Sequence, residues 1–167
     1  SEVGENTELN LFYSMQNLDL SAVLDRELAS RNISTLESSF ALSETLENIG
    51  DASIDYPDDS LIEGQLFQRQ LKMAARLIEA APQLEHQRQV LMVQMHAFDT
   101  HDNQDRILPG LISSLFSNLE AFQSDLEARG LDDRVVTFSQ SDFGRTPTIN
   151  ANGTDHGWGG IALLWAL

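Results

Sequence analysis

Gln89-Val-Leu-Met-Val-Gln-Met95, the stretch from Leu108 to Leu126, and Arg134-Val-Val-Thr-Phe-Ser139 together decide the fold. The first and third runs are short and rich in apolar or β-branched residues, so each is expected to be a buried strand. Between them Leu108, Leu111, Ile112, Leu115, Leu119, Phe122 and Leu126 recur at three and four, the period of an amphipathic helix. Pro109 suits the first turn of that helix, and Gly130 suits the position just past its end. Strand, helix, strand is a βαβ unit, whose crossover should be right-handed and whose strands, 89–95 and 134–140, should be parallel. Leu111, Leu115, Leu119 and Phe122 are expected to pack the helix on the sheet. Two strands alone do not make a stable sheet. Further strands are therefore expected from sequence outside this chain, from a partner, or from stretches without a clear strand pattern.

Upstream the pattern is helical. Ser1 to Leu18 shows no clean period and reads as irregular. Leu20, Val23, Leu24 and Leu28 predict a helix from Asp19 to Arg31, and a second is predicted from Leu36 to Ile49, stopped by Gly50. Asp51 to Asp59 is an acidic loop around Pro57. Ser60-Leu-Ile-Glu63 has the form of a capping box. It opens a helix that runs to about Ala81, with Pro82 beyond it and a stripe of Leu66, Phe67, Leu71, Ala74, Leu77 and Ile78. The expected division is a helical segment, residues 1–60, and an α/β portion, residues 61–167, that carries the chemistry.

Composition narrows the function classes. The chain has 167 residues, 41% of them hydrophobic, enough for one domain with a core. The 26 acidic and 10 basic residues give a formal net charge of -16. Phosphate backbones need clustered Lys and Arg, so nucleic acid is excluded as a partner. The absence of cysteine removes disulfides, thiolate metal sites and cysteine nucleophiles. No apolar run reaches the roughly 18 residues of a membrane span, and the polar, acidic Ser1–Asn10 is not a signal peptide. Gly-rich phosphate loops and the Gly-x-Ser-x-Gly elbow are missing too.

Candidate chemistry lies in the two loops that follow the predicted strands. One is His96-Ala-Phe-Asp-Thr-His-Asp-Asn-Gln104. The other is Ser141-Asp-Phe-Gly-Arg-Thr-Pro147, continuing into Asn152-Gly-Thr-Asp-His-Gly-Trp-Gly159. Three of the four histidines fall here. Open α/β sheets bind ligands beyond the carboxyl ends of their strands, and a parallel βαβ unit would bring both loops to that edge. Asp99, His101, Asp142 and His156 are therefore expected to gather there. Carboxylate oxygen and imidazole nitrogen form the ligand set of hydrolytic Zn²⁺, Mn²⁺ or Fe centres. Each residue also has a structural alternative. Asp102 could cap the helix that follows, Asp99 could bind backbone in a turn, and Asp142 could form an Asx-turn. Arg145 could hold an anionic substrate or pair with Asp142 or Asp155. Glycines around Asp155 and His156 permit tight backbone. His86 reads as a solvated surface residue and Trp158 as packing.

The strings His96-Ala-Phe-Asp-Thr-His-Asp-Asn-Gln104, Ser141-Asp-Phe-Gly-Arg-Thr-Pro147 and Gly153-Thr-Asp-His-Gly-Trp-Gly159 resemble, in order, the signatures of the bacterial family known as domain of unknown function 1501. Arg69-Gln-Leu-Lys-Met-Ala-Ala-Arg-Leu-Ile78 resembles its preceding helix. The resemblance spans roughly Leu61 to Gly160, and residues before Ser60 resemble only the family's helical region. It implies a partial alkaline-phosphatase-like (sulfatase-like) α/β/α sandwich, export through a twin-arginine signal, and a divalent metal, with zinc, manganese and calcium as the candidates. By the same resemblance Asp99 and His101 are one metal pair, Asp142 is an acidic ligand after a strand, and Asp155 and His156 supply the remaining Asp-His element. Phe143 stands where that superfamily often has a histidine. No nucleophile is recognisable, and the tail Ile161-Ala-Leu-Leu-Trp-Ala-Leu167 departs from the family's His-containing strand region.

The function these features imply is part of a metal-dependent phosphatase- or sulfatase-like hydrolase, inactive as this chain alone, acting on an anionic ester. The alternative is a non-catalytic exported protein that uses the fold to bind a partner or a surface glycan.

Overall fold

The computed structural model describes residues 23–165 together with Asn10, Tyr13 and Ser14. It divides into two units, Ser1–Asn48 and Ile49–Leu167. The irregular segment expected over Ser1 to Leu18, apart from those three residues, and the tail beyond Trp165 lie outside the described residues.

In the first unit, α1 runs unbroken over Val23–Asn48. Two helices were expected, with a break between Arg31 and Leu36. No Gly or Pro falls within the stretch. The hydroxyls of Thr35, Ser38, Ser39 and Thr45 donate to the carbonyls four residues back within the continuous helix, and do not compete for its backbone amides.

The second unit is built on two helices, α2 (Ile62–Ala80) and α3 (Gln104–Arg129). Ser60 does not cap α2. The Asp59 carboxylate accepts from the Leu61 amide at 2.8 Å instead. Helix α3 begins four residues before Leu108, which leaves Pro109 inside it rather than in its first turn. Its end is as expected: Gly130 takes φ 66°, and the Leu131 amide reaches back to the Leu126 carbonyl at 2.9 Å. Phe67, Leu71, Ala74 and Ala75 of α2 meet Ala121, Phe122 and Leu126 of α3, with Tyr56 and Leu131 closing the cluster. The alanines let the backbones approach. Leu71 and Leu126, each 1% exposed, contribute about 1.5–3 kcal/mol apiece by burial.

The inner face of α3 is not the apolar stripe that its sequence predicts. Ser114, Asn118 and Asp125 are buried beside Leu111, Phe122 and Leu126, while Leu115 and Leu119 are only partly buried. Each of these three side chains has at least one partner, although Asn118 Oδ1 is buried without one. The Ser114 hydroxyl donates to Asp59, and Asn118 Nδ2 donates to the Ser114 carbonyl at 2.9 Å. Tyr56 Oη donates to Asp125 Oδ2 at 3.3 Å, and Arg129 Nε donates to Asp125 Oδ1 at 2.9 Å. Arg129 also reaches Glu79 on α2. Burial works against the Arg129 charge, but its bonds to Glu79 and Asp125 prevail and raise its pKa. Burial, and then the Asp125 charge, push the Tyr56 phenol well up.

The expected parallel βαβ unit is not formed. Residues 89–95 belong to no ladder, and the sheets among the described residues are two antiparallel pairs. In one, β1 (Thr137–Phe138) pairs with β4 (Leu164–Trp165). In the other, β2 (Gly144–Asn150) pairs with β3 (Gly153–Gly157). A short 3-10 turn, Asp132–Arg134, joins α3 to β1. The 89–95 run does alternate as a strand would: Val93 and Met95 pack on the core, while Val90 and Met92 are exposed. In place of a strand neighbour, the Gln70 side-chain amide both accepts from the Gln94 N–H and donates to its carbonyl, each at 2.8 Å. The second run spends its hydrogen bonds on the tail, where the Ser139 amide donates to the Leu163 carbonyl at 2.9 Å. The described residues thus form a mixed structure of long helices and small antiparallel sheets. No helix of the described residues is long and apolar enough to cross a membrane.

Candidate metal site

The β2–β3 hairpin builds the site. Its register sets Asn150 opposite Gly153 and Arg145 opposite His156. Ala151 and Asn152 make the turn, Ala151 in the left-handed region at φ 48°. The hairpin tip docks on the start of α3. The Gln104 amide donates to the Asn152 carbonyl at 3.1 Å, Asn152 Nδ2 donates to Asp102 Oδ1 at 2.8 Å, and the Thr154 hydroxyl donates to Gln104 Oε1 at 3.0 Å. Asp102 is therefore a tie to the hairpin. The N-cap position of α3 is Asn103, in the left-handed region at φ 53°. Gly153 is buried, and a Cβ there would lie 2.6 Å from the His101 carbonyl oxygen. Only glycine lets the hairpin come this close to the loop.

That approach brings together three of the expected ligands. His156 Nε2 lies 2.7 Å from Asp99 Oδ1, and His101 Nε2 lies 2.9 Å from the same oxygen. One ligand atom from each of Asp99, His101 and His156 falls within 4.8 Å of the others. The imidazoles stack at 4.8 Å between centroids, and the Phe143 ring covers the His156 ring at 4.2 Å with 13° between planes. The hydrogen bond from His156 lowers the Asp99 carboxyl pKa. Partial desolvation opposes this, and the charges of His156, His101 and Arg145 add to the lowering. All three ligand side chains are about half exposed, so an ion or small molecule has access.

The other expected residues take different places. Asp155 Oδ1 accepts from Asn150 Nδ2 and stands 3.8 Å from His101 Nδ1, the nitrogen facing away from Asp99. Asp142 is exposed in the bend before β2 and outside the three-residue group. Arg145 is 19% exposed and donates to the backbone carbonyls of Phe98 and Thr154. His86 is exposed, as expected, with Nδ1 2.8 Å from Gln89 Nε2. Trp158 is 87% exposed and does not pack.

Phe143, Asn152, Gly153 and Gln104 are site-building residues that their sequence context does not single out. A signal for a hairpin was present in the turn-forming Asn152-Gly153 after the β-branched Thr146, Thr148 and Ile149, although the turn itself falls one residue earlier, on Ala151 and Asn152. Pro147 hid it, because proline within a run argues against a strand.

Two imidazole nitrogens and one carboxylate oxygen suit zinc or another first-row metal. Calcium prefers six to eight oxygens and fits this set poorly. Ligand atoms around a tetrahedral zinc stand roughly 3.3 Å apart given bonds of 2.0–2.1 Å; here both imidazole nitrogens lie nearer than that to Asp99 Oδ1, at 2.7 and 2.9 Å, and all three atoms fall within 4.8 Å. The arrangement is thus a possible metal-binding triad.

No curated protein and no solved structure matches the chain. Residues 3–165 match the family described as "Protein of unknown function (DUF1501)". That match takes in both loops and the hairpin that joins them, and the chain belongs to this family.

Proposed function

We propose that this chain carries the metal-binding part of an exported, metal-dependent hydrolase of phosphate or sulfate esters, built on an alkaline-phosphatase-like fold. The observation that carries the reading is the convergence of Asp99, His101 and His156 on one point from loops far apart in sequence. Three protein ligands leave a position open, the arrangement of catalytic rather than structural zinc. A bound metal would supply Lewis acidity toward an ester oxygen and lower the pKa of a bound water or hydroxyl. Asp99 offers a carboxylate kept ionised by its neighbours. His101 and His156 offer Nε2, and the Asp155 carboxylate stands 3.8 Å from the other nitrogen of His101. Phe143 shields one face of His156 from water. The expected substrate is a small anionic ester.

The test is a calorimetric titration of metal-free protein with Zn²⁺, Mn²⁺ and Ca²⁺, repeated on Asp99→Ala and His156→Ala. One equivalent of Zn²⁺ or Mn²⁺ should bind, at least tenfold weaker in either variant, with Ca²⁺ weakest. Absence of binding to the unaltered protein, or equal affinity in the variants, sinks the reading.

A second reading, non-catalytic binding of a partner or glycan, is favoured by one observation. Val90, Met92, Val136, Phe138 and Leu164 lie exposed outside the helices. Hydrolysis of an aryl phosphate or sulfate by the metal-loaded full-length protein would exclude it.

A further inference from the structure

Arg145 touches both halves of the site. Its backbone is fixed first: it faces His156 across the hairpin, its amide donates to the Gly159 carbonyl at 2.7 Å, and its own carbonyl accepts from the Gly159 amide at 3.0 Å. From that anchor the guanidinium crosses to the other loop. Nη2 donates to the Phe98 carbonyl at 2.8 Å, and Nη1 donates to the Thr154 carbonyl. Phe98 directly precedes Asp99, and Thr154 stands two residues before His156. Nη2 is also 3.8 Å from Asp99 Oδ1, and Cζ lies 5.1 Å from the centroid of Phe143, the ring that covers His156.

An arginine that held a substrate anion would present its fork to solvent. Here both terminal nitrogens are spent on carbonyl oxygens of the ligand-bearing loops. A planar fork can bridge two such acceptors in a fixed geometry, and a lysine ammonium cannot. A backbone carbonyl also carries no charge to neutralise the guanidinium, whose Nη2 remains 3.8 Å from Asp99 Oδ1.

We propose that Arg145 is a positioning residue whose guanidinium ties the Phe98 carbonyl to the Thr154 carbonyl and so holds Asp99 against His156 in the arrangement a metal would use. The purpose assigned to the tie rests on the metal reading above, but the tie itself is testable without metal.

The experiment uses Arg145→Lys and Arg145→Ala. The first readout is the long-range ¹H–¹⁵N imidazole spectrum of metal-free protein, in which His156 Nε2 reports its bond to Asp99. Both variants should lose that signature while helical circular dichroism is retained. The second is Zn²⁺ or Co²⁺ affinity, expected to fall roughly 10- to 100-fold, as for other residues that orient metal ligands. Millimolar guanidinium ion should restore Arg145→Ala toward the unaltered value, and ammonium should not. Unchanged imidazole resonances in the variants overturn the proposal. So does a loss of affinity that follows thermal stability and is not rescued by guanidinium. If the unaltered protein binds no metal, the metal reading fails, and the imidazole spectra still decide whether Arg145 positions the pair.

Discussion

Replacing Asp125 with alanine should be among the most damaging changes outside the candidate site. Its side chain is fully buried and that of Arg129 is 10% exposed, so their pairing is a buried one. Removing one partner of such a pair typically costs about 3–5 kcal/mol, because the other charge stays in a poor solvent. Arg129 retains Glu79 and a 3.4 Å contact with the Gly50 carbonyl, which places the cost near the lower end, about 3 kcal/mol. Tyr56 Oη would lose its acceptor at the same time. In a chain of this length that loss corresponds to a melting temperature lower by roughly 6–12 °C. Tyr56→Phe alone breaks only the 3.3 Å bond and should cost about 1 kcal/mol. The assay is urea denaturation followed by circular dichroism, run as a double-mutant cycle. In the Asp125→Ala background, Tyr56→Phe should cost almost nothing, since the acceptor is already gone. A cost below about 1 kcal/mol for Asp125→Ala, or strictly additive effects, would show that the network does not hold the helices together.

Two further outcomes follow from the same structure. The folded-state pKa of Tyr56 is raised above the ordinary 10.0, so its contribution is complete below pH 10 and is lost as pH climbs toward the folded value. Stability of the unaltered protein should therefore decline above about pH 10, and more steeply than that of Tyr56→Phe; parallel curves would refute the assignment. Gly153→Ala should push the hairpin off the His101 carbonyl and weaken Zn²⁺ binding by at least tenfold in calorimetry. Gly160→Ala, which meets open space, should leave binding unchanged, and equal behaviour of the two would show that close approach is not what Gly153 provides.

Helices α2 and α3 were legible from sequence because their signals are local, whereas α1 was expected as two helices. The three–four spacing of α3 and the left-handed Gly130 after it need no knowledge of the rest of the chain. What faces inward is a different matter. Ser114 and Asp125 lie outside the apolar stripe, and their burial depends on meeting Tyr56, Asp59 and Arg129, which is a tertiary fact. The 89–95 run has a strand's alternation, but a ladder needs a neighbour, and a short apolar run does not say which segment that will be. The candidate site was legible in its residue types. Asp99, His101 and His156 do meet, though through an antiparallel hairpin docked on a helix start rather than through parallel strand ends. Asp142 looked equivalent to them by composition, but the group that forms does not include it. Local sequence shows which side chains could coordinate an ion, and the docking of the hairpin on the start of α3 settles which ones meet.

The contact between Asp99 and His156 spans 57 residues. Helices form within about a microsecond, while a contact of such separation must wait for the intervening chain to be ordered, as the dependence of folding rate on contact order requires. In refolding, helical ellipticity should thus appear before the imidazole–carboxylate pair. A partly folded population would hold α2 and α3 yet have no place for an ion. Occupancy of the cluster is then a late reporter of folding, and any ligand that it takes would select chains in which the hairpin has already found α3.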